Sequence, residues 1–402
     1  MSRWGGALGL GAGVTAAAIA FGSRPLAVVG VGLLLAGGLA RLWAAFARSP
    51  ITLEAAVRPP RCTEGDRVHV SLRATRASRV PVGSAAVSWE LGPLGLRECR
   101  LRGHGRVLRA ELDLGRLPRG VYRPASTQVL AGDFLGLASV LAPTSCELGP
   151  LLVRPRIEEL AALFTDSGLA RGDARRGLLR RSSGFDFHSV REYEQGESLR
   201  RVHWPTSARR GQLMVRELED TVRDGVVVLL DCDPAGAAGT PPDSSFDAAV
   251  RAAGSLVRAH AGRGRVATLV TTGRERALVA VRSVDADLDG ALAALAAAAP
   301  DAVHGLARWL GGDGSWLSGA GELVVVTAEL PPAAASALLA LSRRVAVAVV
   351  RVDAPTFAGR PPRTDAGALS LSAAGIPVAV LRHGQPLAEA LGAVGEEVSA
   401  VG

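Results

Sequence analysis

The chain contains no lysine. All 46 of its basic side chains are arginine, and against 38 acidic residues they leave a formal net charge of +8. Alanine and glycine are abundant throughout, so the arginine excess reads as a compositional bias of the source. No nucleic-acid fold signature accompanies the charge, and nucleic acid is not an expected partner. Cysteine is sparse. Cys62, Cys99, Cys146 and Cys232 are widely spaced without a C-x-x-C pair, which removes the usual zinc-ligand patterns and leaves free, mostly buried thiols as the expectation. The seven histidines are scattered too, and His188 and His203 have no third ligand at useful spacing.

Long apolar runs are present, and both lie at the start. Residues 4–21 and 26–46 are nearly uncharged and are separated by Gly22, Ser23, Arg24 and Pro25. Each is long enough to cross a bilayer, which takes about 20 residues. Residues 1–49 therefore read as a transmembrane hairpin; a cleaved signal peptide is the competing reading of the first run, but no polar cleavage region follows it. Gly5, Gly9 and Gly13 recur every fourth residue, which offers one bare helix face for close packing unless it only reflects glycine-rich composition. Arg3, Arg41 and Arg48 flank the hairpin, whereas its turn carries only Arg24. The positive-inside bias then places both ends in the cytoplasm, giving a multi-pass protein of the cell membrane with cytoplasmic soluble domains. A disulfide is not expected there.

At 402 residues the chain has room for two or three domains. Residues 50–155 alternate in short runs, at 67–74, 85–91, 106–112 and 126–130, between Gly and Pro turns, which predicts a β-sandwich serving as an interaction or spacer module. Residues 156–183 form a basic linker with Arg171, Arg175, Arg176, Arg180 and Arg181, either solvated or touching anionic lipid. From 223 to 402 apolar strands alternate with helical stretches. Strands are expected at 226–231, 265–271, 277–281, 322–327, 345–352 and 377–381, with helices at 246–261, 285–299, 303–310 and 333–343 and from 386 onward. A loop rich in Pro and Gly separates the last two strands. This order predicts an α/β domain with an open, mainly parallel sheet and helices on both faces. Ligands of such sheets meet the carboxyl ends of the strands, where Asp231, Asp233, Thr271, Thr272, Thr327 and Glu329 fall.

The densest mixture of charge, aromatics and glycine lies at 184–222. Arg191, Glu192 and Tyr193 lead through a turn at Gln195, Gly196 and Glu197 to Arg200, Trp204, Ser207 and Arg209. Aromatic rings need a packing surface, and interleaved Arg and Glu provide planar, orienting hydrogen bonds, so the segment is expected to be folded and specific. The stretch REYEQGESLRRVHWPTSAR resembles the signature R-E-Y-x-x-G-D-x-x-R-x-I-D-W-x-x-[ST]-A-R of a bacterial family catalogued as domain of unknown function 58. Two positions depart: Glu197 replaces Asp with the charge kept, and His203 replaces Asp with the charge lost. The R-G-x-Y and D-x-x-G-L elements of that family are matched between 119 and 137.

The resemblance implies a membrane-anchored protein with a β-domain and a von Willebrand factor A-like domain, associated with MoxR-type AAA+ ATPases, and it implies no known reaction. In A-type domains a D-x-S-x-S motif ligates Mg²⁺; here the run is Asp231, Cys232, Asp233, Pro234 and Ala235, so the site is degenerate and no cofactor is expected. The leading expectation is a non-catalytic, membrane-tethered adaptor for a protein partner. Two alternatives stand beside it. The signature could be only an interdomain clasp, with Tyr193 and Trp204 packed on the α/β domain and Glu192 and Glu197 pairing Arg200 and Arg209. It could also serve an enzyme acting on a phosphate or peptide, with Arg200, Arg209 and Glu192 as clamp and base; neither a nucleophile nor a phosphate-cradling glycine loop accompanies them.

Overall fold

In the computed structural model the described residues are 3–160 (except 79, 81, 125, 147 and 148), 163, 186–192, 204–219 and 225–392 (except 313). The chain divides into two compact units, Met1–Arg156 and Ile157–Gly402.

The first unit opens with helices α1 (Trp4–Phe21) and α2 (Arg24–Ala47), both long and apolar enough to cross a membrane. Pro25 sits in the first turn of α2, where its missing N–H costs nothing, and Gly22 ends α1 in the left-handed conformation at φ 62°. The two helices pack antiparallel, but not on the expected glycines. A Cβ on Gly5, Gly9 or Gly13 would meet nothing within 4 Å. The close approach is made instead by Gly11 against Leu34, Gly30 against Thr15 and Gly37 against Leu8. With glycine on several faces of α1, fourth-residue spacing does not select the contact face; the shape of α2 does.

Strands β1 (Ile51–Arg58), β2 (Cys62–Thr63), β3 (Arg67–Arg76), β4 (Ser84–Glu90), β5 (Leu96–His104), β6 (Val107–Arg116), β7 (Gly120–Tyr122), β8 (Ser126–Gly132), β9 (Ser139–Ala142), β10 (Thr144–Cys146) and β11 (Leu151–Arg154) follow. They form an eight-stranded sheet, β10-β1-β3-β6-β5-β4-β8-β9, and a three-stranded sheet, β2-β11-β7. Both sheets feed one core, to which the larger contributes Leu53, Leu72, Val87 and Trp89 and the smaller Tyr122, Leu151 and Val153. Burial alternates along β3 and β4, the period-2 signature of a sheet with one face on a core. Tyr122 of the R-G-x-Y element lies in this core and its hydroxyl donates to the Pro118 carbonyl at 2.7 Å, pinning the turn into β7.

The second unit contains β12 (Asp186–Glu192), α3 (Trp204–Arg210) and β13 (Met214–Glu219), then β14 (Gly225–Leu230), α4 (Ser245–Gly262), β15 (Ala267–Thr271), β16 (Leu278–Val281), α5 (Val284–Ala297), α6 (Leu306–Leu310), β17 (Ala320–Thr327), α7 (Pro332–Leu341), β18 (Ala346–Val352), α8 (Ala354–Phe357), α9 (Ala366–Ala373), β19 (Val378–Leu381) and α10 (Leu387–Gly392). The main sheet runs β16-β15-β14-β17-β18-β19, parallel throughout except for the antiparallel edge pair β15–β16. Val226, Val228 and Leu230 of β14 point into a core shared with α4, α5 and α10, while Val227 and Leu229 join α6, α7 and α9 on the other face. A strand buried on both sides must be apolar at every position, which explains the unbroken run that marked it. The Pro- and Gly-rich stretch before β19 is not simply a loop. Asp365 Oδ1 accepts from the Gly367 and Ala368 amides at 2.8 and 3.2 Å, and this cap starts α9.

Candidate functional site

The signature is built on a β-hairpin with a helix inserted in it. β12 pairs antiparallel with β13, with Glu192 opposite Met214 and Arg191 opposite Val215. These two signature residues therefore stand at the end of β12 that faces the start of β13. Tyr193, Gly196, Glu197 and Arg200 lie outside the described residues, as do His203 and nearly all of the basic linker.

Helix α3 carries Trp204, Ser207 and Arg209. Ser207 is buried, and its Oγ accepts from the Met214 amide at 2.9 Å and lies 3.4 Å from the Met214 carbonyl. That contact folds α3 back on the first residue of β13. Gly211, at φ 69°, supplies the left-handed residue that ends the helix, its amide donating to the Ser207 carbonyl at 2.9 Å. Trp204 is not the packed ring that the clasp reading requires: it is 62% exposed. The place against β13 is taken by the small Ser207, hydrogen-bonded to Met214, which leaves the indole at the head of the helix in solvent. Arg209 and Arg210 are exposed as well.

The second candidate is the carboxyl edge of the main sheet. Asp231 follows β14 and is buried; its Oδ2 lies 2.7 Å from Thr327 Oγ1, and its Oδ1 accepts from Thr272 Oγ1 at 3.3 Å and from the Asp233 amide at 3.2 Å. Thr271 turns the other way and accepts from the Ala277 amide. Burial raises the Asp231 carboxyl above its ordinary value; the Thr327 hydrogen bond opposes the shift, and the neighbouring Asp233 charge adds to it. The hydroxyl geometry favours the protonated form. Thr327 Oγ1 lies 2.7 Å from Asp231 Oδ2 and 2.8 Å from the Glu329 carbonyl, both acceptors, and it has one proton. A proton on Oδ2 satisfies all three oxygens in a chain from Asp231 through Thr327 to Glu329.

Asp233 is held by its own turn, Oδ1 accepting from the Ala235 amide at 2.9 Å. With Asp231, Glu329, Gly305, Leu306 and Arg308 it lines a cleft of about 360 Å³. The donor set does not fit Mg²⁺, which needs near-octahedral oxygens: Ala235 has no side-chain oxygen to offer, and both Asp231 oxygens already face hydroxyls. Among the described residues no group of three or more His, Cys, Asp or Glu could hold a metal ion. Cys232 is buried, and burial pushes its thiol up to about 11, so it is not a nucleophile at neutral pH.

Sequence reasoning missed the adjoining charge network. Arg351 and Asp353, both buried at the end of β18, pair at 3.0 Å; Arg351 also donates to the Arg363 carbonyl at 2.8 Å and lies 3.5 Å from Asp365. The network fixes the segment between β18 and α9, and its one visible signal was an Arg interrupting the apolar run 345–352.

Residues 189–370, from the second half of β12 to α9, match the profile of a family described as Protein of unknown function DUF58. The uncharacterized protein YeaD of Bacillus subtilis (strain 168) is 26% identical over 204 residues, 51% of this chain and 49% of YeaD, so the chain spans about half the length of that relative. Among solved structures, IrmA from Escherichia coli aligns with 26% of this chain and 98% of its own at a TM-score of 0.19 and 13% identity. The Pseudomonas fluorescens alkylpurine DNA glycosylase AlkC aligns with 30% of this chain and 38% of its own at 0.15 and 15%. Likeness at that level carries no argument about fold or function. The resemblance drawn from the signature is supported by the profile match and the relative: residues 189–370 are similar to the family described as Protein of unknown function DUF58.

Proposed function

We propose that this protein is a membrane-tethered, non-catalytic adaptor that presents α3 and the carboxyl edge of the α/β domain to a protein partner. The observation that carries the reading is Trp204, a large aromatic held out to solvent on a helix that also exposes Arg209 and Arg210 and that Ser207 locks in place. Tryptophan and arginine are the residues that most often dominate binding energy at protein interfaces. The family resemblance makes a MoxR-type AAA+ ATPase the partner of choice. The strand order with one antiparallel edge strand supports a von Willebrand factor A-like domain, here working without Mg²⁺ or another cofactor. Helices α1 and α2 support a two-span anchor in the cell membrane, and the arginines at their outer ends support cytoplasmic soluble domains. The Ser207–Met214 contact favours a structural share for the signature as well, confined to its own hairpin.

The test is capture of the co-expressed MoxR-type ATPase of the same organism by the detergent-solubilised full chain. Trp204→Ala should leave unfolding within about 0.5 kcal/mol of wild type, as for an exposed side chain, while capture is lost. Ser207→Ala should destabilise by about 1–3 kcal/mol, because the Met214 amide loses its buried acceptor. Undiminished capture by Trp204→Ala, or none by the wild type, removes the adaptor reading.

A further inference from the structure

We propose that the turn between β8 and β9, through Phe134 and Leu135, seats in the bilayer interface beside the helical hairpin and gives the β-domain its own contact with lipid. The inference rests on the reading of α1 and α2 as membrane spans. It accounts for the D-x-x-G-L element at Asp133–Leu137, whose two unassigned positions are both large and apolar.

Phe134 is 70% and Leu135 65% exposed. The turn that carries them is built: the Asp133 amide donates to the Ala138 carbonyl at 3.1 Å, Asp133 Oδ1 accepts from the Ala138 amide at 3.2 Å, and Gly136 takes φ 68°. Leu130 and Leu141, paired across β8 and β9, are exposed too and extend the apolar surface from the tip. Such a surface held in water is unfavourable unless an apolar phase covers it.

Its place on the molecule identifies that phase. The Arg3 amide donates to the Leu137 carbonyl at 2.8 Å, which ties the turn to the residue where α1 begins. At the same level the Arg41 guanidinium of α2 lies over the Trp4 ring, 5.0 Å from its centroid. An aromatic ring with a cation at a helix end is the pattern of a membrane–water interface. The end of the sheet that carries the turn is also the end at which the chain arrives from α2: Ile51 opens β1 there, opposite Arg76, and the Arg76 amide is bonded to the Arg106 carbonyl. Arg3, Arg48 and Arg106 are exposed around it, cations suited to anionic headgroups. Apolar tips inside a cationic rim, level with a helix entry point, fit a bilayer surface.

The full chain, reconstituted in vesicles of phosphatidylethanolamine and phosphatidylglycerol, is tested with a photoreactive benzophenone amino acid at one position at a time. Position 134 or 135 probes the turn, and position 35 on an exposed face of α2 reports whether the hairpin is in the membrane. Position 96 is the control: Leu96 is 61% exposed but opens β5 at the far end of β4, a seven-residue strand. That places it about 20 Å from the turn, at ~3.3 Å per residue. Lipid adducts at 35, 134 and 135 but not at 96 are expected. Adducts at 35 with none at 134 and 135 overturn the inference and leave the membrane anchor standing, as do protein adducts in place of lipid at 134. Equal lipid labelling at 96 overturns it as well, and no lipid at 35 sinks the anchor and the inference together.

Discussion

Asp231 shows how one buried carboxyl answers to its surroundings. Its folded-state value is raised, so the native chain holds the proton more tightly than the unfolded chain, and stability falls as pH rises from the ordinary carboxylate value through the raised one. The contribution is complete below that window and gone above it. Asp231→Asn should act as a permanent copy of the protonated acid, donating to Thr327 Oγ1 and still accepting from Thr272 and the Asp233 amide. The expected result is a variant at least as stable as wild type at neutral pH, with a flatter acid-side dependence in denaturant titrations run at several pH values. Asp231→Ala should instead cost about 1–3 kcal/mol, because the Thr272 hydroxyl and the Asp233 amide lose their acceptor. An Asn variant as unstable as the Ala variant at neutral pH would show that the carboxylate is ionised. The sequence pointed to Asp231, Thr272, Thr327 and Glu329 by their positions after strands, but it could not separate Thr272 from Thr271. That choice depends on strand register, which a one-residue step inverts.

Among elements, the helical hairpin offers the sharpest contrast. On Gly30 an added Cβ would stand 2.4 Å from Thr15 Oγ1 and 2.8 Å from the Thr15 amide, whereas on Gly9 it would meet nothing. Gly30→Leu should force the helices apart, at a cost of about 1–3 kcal/mol for overpacking, and should lower the temperature at which the detergent-solubilised chain aggregates. Gly9→Leu should leave that temperature unchanged. Equal effects from both would place the helix contact elsewhere. In the α/β unit the buried strands announced themselves because two buried faces leave few polar positions, Glu322 and Arg351 among them. Helix α9 did not, since its start depends on the Asp365 cap overriding a Gly- and Pro-rich context.

For the whole molecule, the proposed orientation rests on charge bias, by which both ends of the hairpin would lie in the cytoplasm. A reporter active only outside the cytoplasm, fused after Gly402, should be silent, and a cytoplasmic fluorescent reporter at the same place should be bright. The reverse would overturn the orientation and allow Cys62, Cys99 and Cys146, all free thiols in the structure, to be tested for a disulfide.

The apolar runs, the alternation of strand and helix and the spacing of the signature were legible in the sequence because each is a local, periodic property of the chain. The three-dimensional fold alone decided that Ser207 is buried while Trp204 faces solvent, that Gly11, Gly30 and Gly37 rather than Gly5, Gly9 and Gly13 meet across the hairpin, and that Arg351 closes on Asp353 and Asp365. Those outcomes depend on which surface each element finds opposite it, and close packing admits a side chain by the shape left for it rather than by its type.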